Sequence, residues 1–206
     1  MRELIYPENI TLETLEEVVA AITHGELVAV PTDTVYGIIC AAQQEEAVRR
    51  MRVLKGREEN KPFALFISQE KVESPLFRLN NHARKLIRAF FPGAITLVVA
   101  AEETCPCQNN GTVGIRCPEH TLIQEILQRY DGFLANTSLN YSGKPPLTCL
   151  KNAGKLTKEV DLVINAGVLP SKIPSTVVDC SRETVVILRE GCIASEKIFR
   201  VLAEKD

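Results

Sequence analysis

Apolar positions recur at helical spacing from Thr11 to His24: Leu12, Leu15, Val18, Val19 and Ile22, with Thr11 as N-cap and Gly25 as stop. The continuous run 27–30 has the pattern of a strand buried on both faces, and Pro31 either ends its pairing or places it at an edge. Ala47, Val48, Met51 and Leu54 mark a second helix, stopped by Gly56. Residues 63–67 read as a strand. Asn80 or Asn81 caps a helix carrying Ala83, Leu86, Ile87 and Phe90, which ends at Pro92-Gly93. Further strands are predicted at 94–101, 112–116, 133–135, 161–165, 176–180 and 184–188. Leu122, Ile123, Ile126 and Leu127 define a fourth helix, and a last one begins near Ala194. Helices and strands alternate without strict βαβ order. The predicted architecture is an α/β fold with a mixed, twisted open sheet and flanking helices, in one domain over 1–206.

Composition narrows the classes. The chain has 206 residues, 45% hydrophobic and 24% charged, which suits a soluble globular protein. No apolar run approaches the ~18 residues of a membrane span. Glu3 and Glu8 near the start leave no apolar export signal, so a cytoplasmic location without a membrane partner is expected. A net charge of −2 argues against a broad phosphate-binding face and predicts weak or no direct RNA binding. Seven scattered cysteines, with Cys105-Pro106-Cys107 as the close pair, fit reduced thiols better than a zinc site. His24, His82 and His120 lie on or beside helices and are not assigned to a metal.

Five segments carry candidate chemistry. Thr32, Asp33 and Thr34 follow a rigid strand, where hydroxyls and a carboxylate suit a small polar ligand; a polar strand end with a turn is the plainer reading. Lys55-Gly56-Arg57 with Lys61 forms either an anion clamp or a solvated charged loop. Thr137 to Thr148 includes Ser138, Asn140 and Ser142 at a period of two, so an extended chain presents them on one face; a Ser/Asn-rich loop also fits. Thr112 and Arg116 bracket a short strand. Ser175 and Arg189 sit in a hairpin. Neither a Walker-type loop nor Gly-x-Gly-x-x-Gly is present.

In this order the segments resemble the YrdC-like threonylcarbamoyl-AMP synthase family, in its stand-alone single-domain form. The resemblance rests on Pro-Thr-Asp-Thr-Val-Tyr-Gly, Lys-Gly-Arg with Lys-Pro downstream, Phe-Pro-Gly-Ala-Ile-Thr-Leu, Thr-Val-Gly-Ile-Arg, Ser-x-Asn-x-Ser-Gly-Lys-Pro, Pro-Ser-Thr-Val-Val-Asp and Leu-Arg-Glu-Gly. It implies a concave, positively charged cavity and an enzyme that joins L-threonine, bicarbonate or CO2, and ATP into threonylcarbamoyl-AMP and pyrophosphate, with magnesium. A separate transferase complex would pass the group to an adenosine in tRNA. Carried over by motif, Lys55 and Arg57 act at the reacting anions, and Thr34, Arg116, Ser138 and Ser175 lie near threonine. Arg57, Lys61, Thr112, Asn140, Thr148 and Arg189 line the ATP site, and no side chain is assigned to a metal. Thr137, Leu139 and Phe66 depart from the family pattern: Leu139 either packs behind its strand or narrows the cavity, and Phe66 stands where some relatives are polar. A paralogue using another amino acid or acceptor, and a non-catalytic RNA-binding module, are the alternatives.

Overall fold

The computed structural model describes residues 2–6, 11–56, 62–171 and 173–204. Five helices stand where the sequence predicts them. The first, α1 (Leu12–Thr23), starts at Thr11, whose Oγ1 accepts from the Thr14 amide at 3.1 Å. α2 (Glu45–Lys55) closes on Gly56 at φ 55°, a left-handed position where a side chain would be strained. α3 (Asn81–Phe90) is capped by Asn80, whose Oδ1 accepts from the Ala83 amide at 2.9 Å. α4 (Thr121–Arg129) and α5 (Ser195–Ala203) follow.

The described strands join in one mixed sheet. They are β1 (Arg2–Ile5), β2 (Val28–Val30), β3 (Gly37–Ala41), β4 (Ala64–Phe66), β5 (Phe77–Arg78), β6 (Ile95–Ala101), β7 (Thr112–Arg116), β8 (Leu134–Ser138), β9 (Leu162–Asn165), β10 (Thr176–Asp179) and β11 (Val186–Arg189). Their order is β1-β9-β2-β3-β8-β4-β7-β6-β10-β11, with β5 added beside β6. β1–β9, β2–β9, β4–β7 and β6–β10 pair in parallel; the other pairs run antiparallel.

Three strands escape the sequence pattern. β3 is buried on both faces and therefore shows no alternation. β1 is an exposed edge strand that finds its partner, β9, near the other end of the chain. β5 has two residues. β2 is interior, lying between β9 and β3, so of the two expectations at Pro31 the structure selects the end of pairing. β8 runs past its expected end as far as Ser138.

The pleat sorts the core into two layers. Leu65, Leu97, Val99, Val113, Ile115 and Ala135 pack on one face with Met51 and Leu54 of α2, Leu86 of α3 and Ile198 of α5. Val28, Val30, Ile39, Ala41, Phe66, Leu134 and Leu162 lie on the other, beneath α1 and α4. These two helices leave part of their face uncovered, and the site forms there. The seven cysteines are free thiols. Burial pushes Cys105 up to about 11 and Cys107 and Cys180 up to about 12, so they stay protonated near neutral pH. Among the described residues no helix is long and apolar enough to cross a membrane.

At the start of α4, His120 packs its ring against Tyr6, and its Nδ1 is buried without a hydrogen-bond partner among the described residues. Burial lowers its pKa from 6.5, and the negative charge of Asp33 opposes that only in part. The unfolded chain therefore takes up this proton more readily than the native one. Stability from this group is complete above the ordinary value of 6.5 and declines as pH falls below it. Denaturant titrations on either side of that pH should show the decline, and His120→Gln should flatten it. An equal slope in the variant would assign the acid sensitivity to other groups.

Candidate active site

The uncovered part of the sheet forms a cavity of about 350 Å³. Its floor continues the face that α1 and α4 bury. On β8, Leu134 lies under α4, while Asn136 and Ser138, each two residues further on, line the cavity. On β3, Ile39 and Ala41 are core and Gly37 lines the cavity. Ala64 and Phe66 of β4, Thr96 and Val98 of β6, and Thr112, Gly114 and Arg116 of β7 extend the floor. Thr32 and Thr34 form one wall; Ser175, Val177 and Arg189 form another.

Arg116 is the centre of the first wall. Its Nη2 donates to Asp33 Oδ1 at 2.6 Å, and the two side chains are only 7% and 11% exposed. Nη1 and Nη2 donate to Thr34 Oγ1 at 3.2 and 3.3 Å, and Nε to the Gly93 carbonyl at 3.4 Å. The guanidinium also lies 5.7 Å from the centre of the Phe66 ring. Thr32 Oγ1 shapes the turn, donating to the Val35 carbonyl at 2.7 Å and accepting from the Thr34 amide at 3.1 Å. The bonds to Thr34 are long and the one to Asp33 is short. An incoming carboxylate would therefore displace Thr34 from the fork before Asp33.

On the second wall, Arg189 donates through Nε and Nη2 to the Ser175 carbonyl at 3.2 and 2.8 Å, and through Nη2 to Ser175 Oγ at 3.3 Å. Burial, and then the positive charge of Arg116, lower the Arg189 pKa, although a guanidinium stays charged at neutral pH. Asp33 offsets the charge of Arg116, whereas the partners of Arg189 on this wall are the neutral oxygens of Ser175. The approach of β11 depends on Gly191. A Cβ there would sit 2.3 Å from the Pro174 carbonyl oxygen and 2.6 Å from the Thr176 nitrogen. This contact accounts for the glycine of Leu-Arg-Glu-Gly.

Lys55 and Asn140 stand behind the lining. Lys55 is 4% exposed, and its Nζ donates to the Ser138 carbonyl, the Asn140 carbonyl and Asn140 Oδ1, each at 2.6 Å. The Asn140 amide in turn donates to the Tyr141 carbonyl at 3.0 Å and to the Lys144 carbonyl. Ser138 Oγ donates to Asn140 Oδ1 at 2.6 Å, leaving its lone pairs to act as acceptors. β8 ends at Ser138 and Ser142 is exposed, so the expected single face of Ser138, Asn140 and Ser142 does not form. The turn held by Lys55 replaces it.

Thr34, Thr112, Arg116, Ser138, Ser175 and Arg189 thus meet around one cavity. Thr148 is half-buried outside the lining, where its carbonyl accepts from the Leu169 amide at 2.8 Å. Arg57 and Lys61 lie outside the described residues. Thr96 and Asn136 line the cavity and Asp33 pairs with Arg116; of the three, only Asp33 is among the residues the sequence marks for a polar ligand. Thr96 sits inside the quoted motif Phe-Pro-Gly-Ala-Ile-Thr-Leu, whereas Asn136 carries only the alternation of its strand as a signal. Leu139 is fully buried in the core away from the lining, so it packs behind the strand. Among the described residues no group of three or more His, Cys, Asp or Glu side chains could hold a metal.

Residues 20–191 match the Sua5–YciO–YrdC family model, described as "Telomere recombination". The chain belongs to this family. It is similar to human threonylcarbamoyl-AMP synthase, with 34% identity over 203 residues covering 94% of this chain and 72% of the human one. It is also similar to the crystal structure of Pyrococcus abyssi Sua5 complexed with L-threonine, at TM-score 0.92 and 30% identity, covering 99% of this chain. This chain spans 62% of that structure's length. Escherichia coli YciO shares the fold at TM-score 0.85 and 24% identity, over 96% of this chain and 98% of its own.

Asp33→Asn keeps the shape of the side chain and removes the counter-ion of a buried cation. Breaking such a pair costs about 3 kcal/mol, which lowers the melting temperature by roughly 6–12 °C in a chain of this size. Scanning calorimetry of the variant provides the check. An unchanged melting temperature would mean that Asp33 does not neutralise Arg116.

Proposed function

We propose that this chain is a threonylcarbamoyl-AMP synthase, a nucleotidyltransferase that joins L-threonine, bicarbonate or CO2, and ATP, and releases pyrophosphate. The convergence of Arg116, Thr34, Ser175 and Arg189 on one cavity, in a member of this family, carries the reading. Threonine's carboxylate pairs with Arg116, two N–H groups meeting two oxygens once Thr34 yields its place. The free amine adds to CO2 and loses a proton, giving a carbamate. A carbamate oxygen then attacks the α-phosphorus of ATP, and the bond from that phosphorus to the α,β-bridging oxygen breaks to release pyrophosphate.

Both reactants are anions. Arg189 offsets part of their repulsion, and in the family pattern Arg57 and Lys61 add to it. Lys55 acts by holding the turn that presents Ser138, its Nζ bonded to the Ser138 carbonyl, the Asn140 carbonyl and Asn140 Oδ1. Thr112, Asn140 and Thr148 are assigned to ATP by motif, Thr112 from within the lining. Asp33 is already paired with Arg116, and magnesium would be carried by the phosphates of ATP, where it would offset their charge. No side-chain nucleophile is needed, and the protonated thiols offer none. Rate comes from alignment of carbamate and phosphorus. The product passes in the cytoplasm to a tRNA threonylcarbamoyl transferase complex.

Purified protein should release pyrophosphate from ATP only when threonine and bicarbonate are both present, with serine supporting much less. Turnover that ignores threonine, or that prefers another amino acid in a panel, would overturn the substrate assignment. Binding of RNA with no nucleotide turnover would replace the reading altogether.

A further inference from the structure

The motif Phe-Pro-Gly-Ala-Ile-Thr-Leu contributes Thr96 to the cavity, and nothing above gives this residue a role. Thr96 is 8% exposed, and its Oγ1 lies 2.9 Å from Ser175 Oγ, itself 5% exposed. Two touching hydroxyls on a cavity wall have a defined sense once a third group is considered. Arg189 Nη2 donates to Ser175 Oγ, and a guanidinium has no acceptor, so this bond has one direction. Donation from a cation polarises the Ser175 hydroxyl, making it a better donor and a poorer acceptor. Ser175 is thereby favoured to give its proton to Thr96 Oγ1, one of the two senses this contact allows. The proton of Thr96 has no acceptor among the described residues and is left for the cavity.

Position supplies the second argument. β6 and β7 pair antiparallel with Leu97 opposite Ile115, and one further step of that register brings Thr96 beside Arg116. β10 lies on its other side, with Val177 opposite Thr96. Neighbouring strands are about 5 Å apart. A carboxylate on Arg116 therefore brings the β-substituent of an α-amino acid within reach of Thr96.

We infer that Thr96 is a specificity-determining residue, donating a hydrogen bond to the side-chain hydroxyl oxygen of the amino-acid substrate, with its proton oriented by Arg189 through Ser175. This inference rests on the proposed threonine-dependent reaction and names the group that reads threonine's hydroxyl. A donor aimed at that oxygen is left unpaired by 2-aminobutyrate, which has a hydrogen in place of the hydroxyl.

The test compares threonine with 2-aminobutyrate as substrates of wild type, Thr96→Val and Thr96→Ser in the pyrophosphate assay. Valine keeps the branched shape that suits a strand and removes the hydroxyl. Thr96→Val should raise KM for threonine by roughly tenfold or more, the size expected for a lost buried hydrogen bond. KM for ATP and turnover of 2-aminobutyrate should change little, so the preference for threonine collapses. Thr96→Ser should restore it. Equal losses for both amino acids would reduce Thr96 to a packing role, and an unchanged preference would remove it from recognition; either overturns the inference. If Thr96→Val does not fold, as judged by melting temperature, Thr96→Ala is read by the same ratio. A wild type without threonine-dependent turnover overturns the underlying reaction, whereas a normal wild type with a silent variant overturns only the role of Thr96.

Discussion

Strands β3 and β8 must each serve two environments with one face. β8 places Leu134 beneath α4 and then, at the same parity, Asn136 and Ser138 in the open. β2 and the turn after it repeat the change, from Val30 in the core to Thr32 in the wall. The pleat forces this arrangement, because residues two apart share a face whether or not a helix covers them. Where α1 and α4 end, an apolar side chain would gain nothing from burial, and small or hydrogen-bonding ones take over. The position of the site is thus a consequence of how far two helices extend across one sheet.

The polar groups at this boundary are held before any ligand arrives. Arg116 has an acceptor on each nitrogen and an aromatic ring beneath it. Lys55 is buried among three oxygens, and Asn140 passes its order on to Ser138. Removing charges from water is costly, and these partners offset that cost within the native fold. The result is a preorganised set of donors and acceptors, which is what a reaction between two anions demands. Burial also keeps Cys105, Cys107 and Cys180 protonated, consistent with chemistry that proceeds by positioning.

The walls come from distant parts of the chain. Thr34 lies in the turn between β2 and β3 and Arg116 ends β7, yet they bond because β3, β8, β4 and β7 are consecutive in the sheet. Ser175 and Arg189 meet because β11 folds back on β10, with Gly191 permitting the close approach. Membership of the family fits this arrangement, since its quoted motifs fall largely at strand ends and turns around the cavity.

Apolar spacing located four of the five described α-helices and most strands, because an amphipathic helix must repeat its apolar positions, while Thr11, Asn80 and Gly56 mark boundaries through local backbone chemistry. The ordered motifs likewise indicated Thr34, Arg116, Ser175 and Arg189 as candidates for one site. β1 and β3 were not legible, since an exposed edge and a doubly buried strand lack alternation and are defined by partners elsewhere in the chain. Tertiary structure decided that Lys55 stands behind the lining, that Asp33 neutralises Arg116, and that Thr96 and Asn136 belong to the floor. Each of these depends on which strands become neighbours and where the helices stop covering them, and local sequence encodes neither.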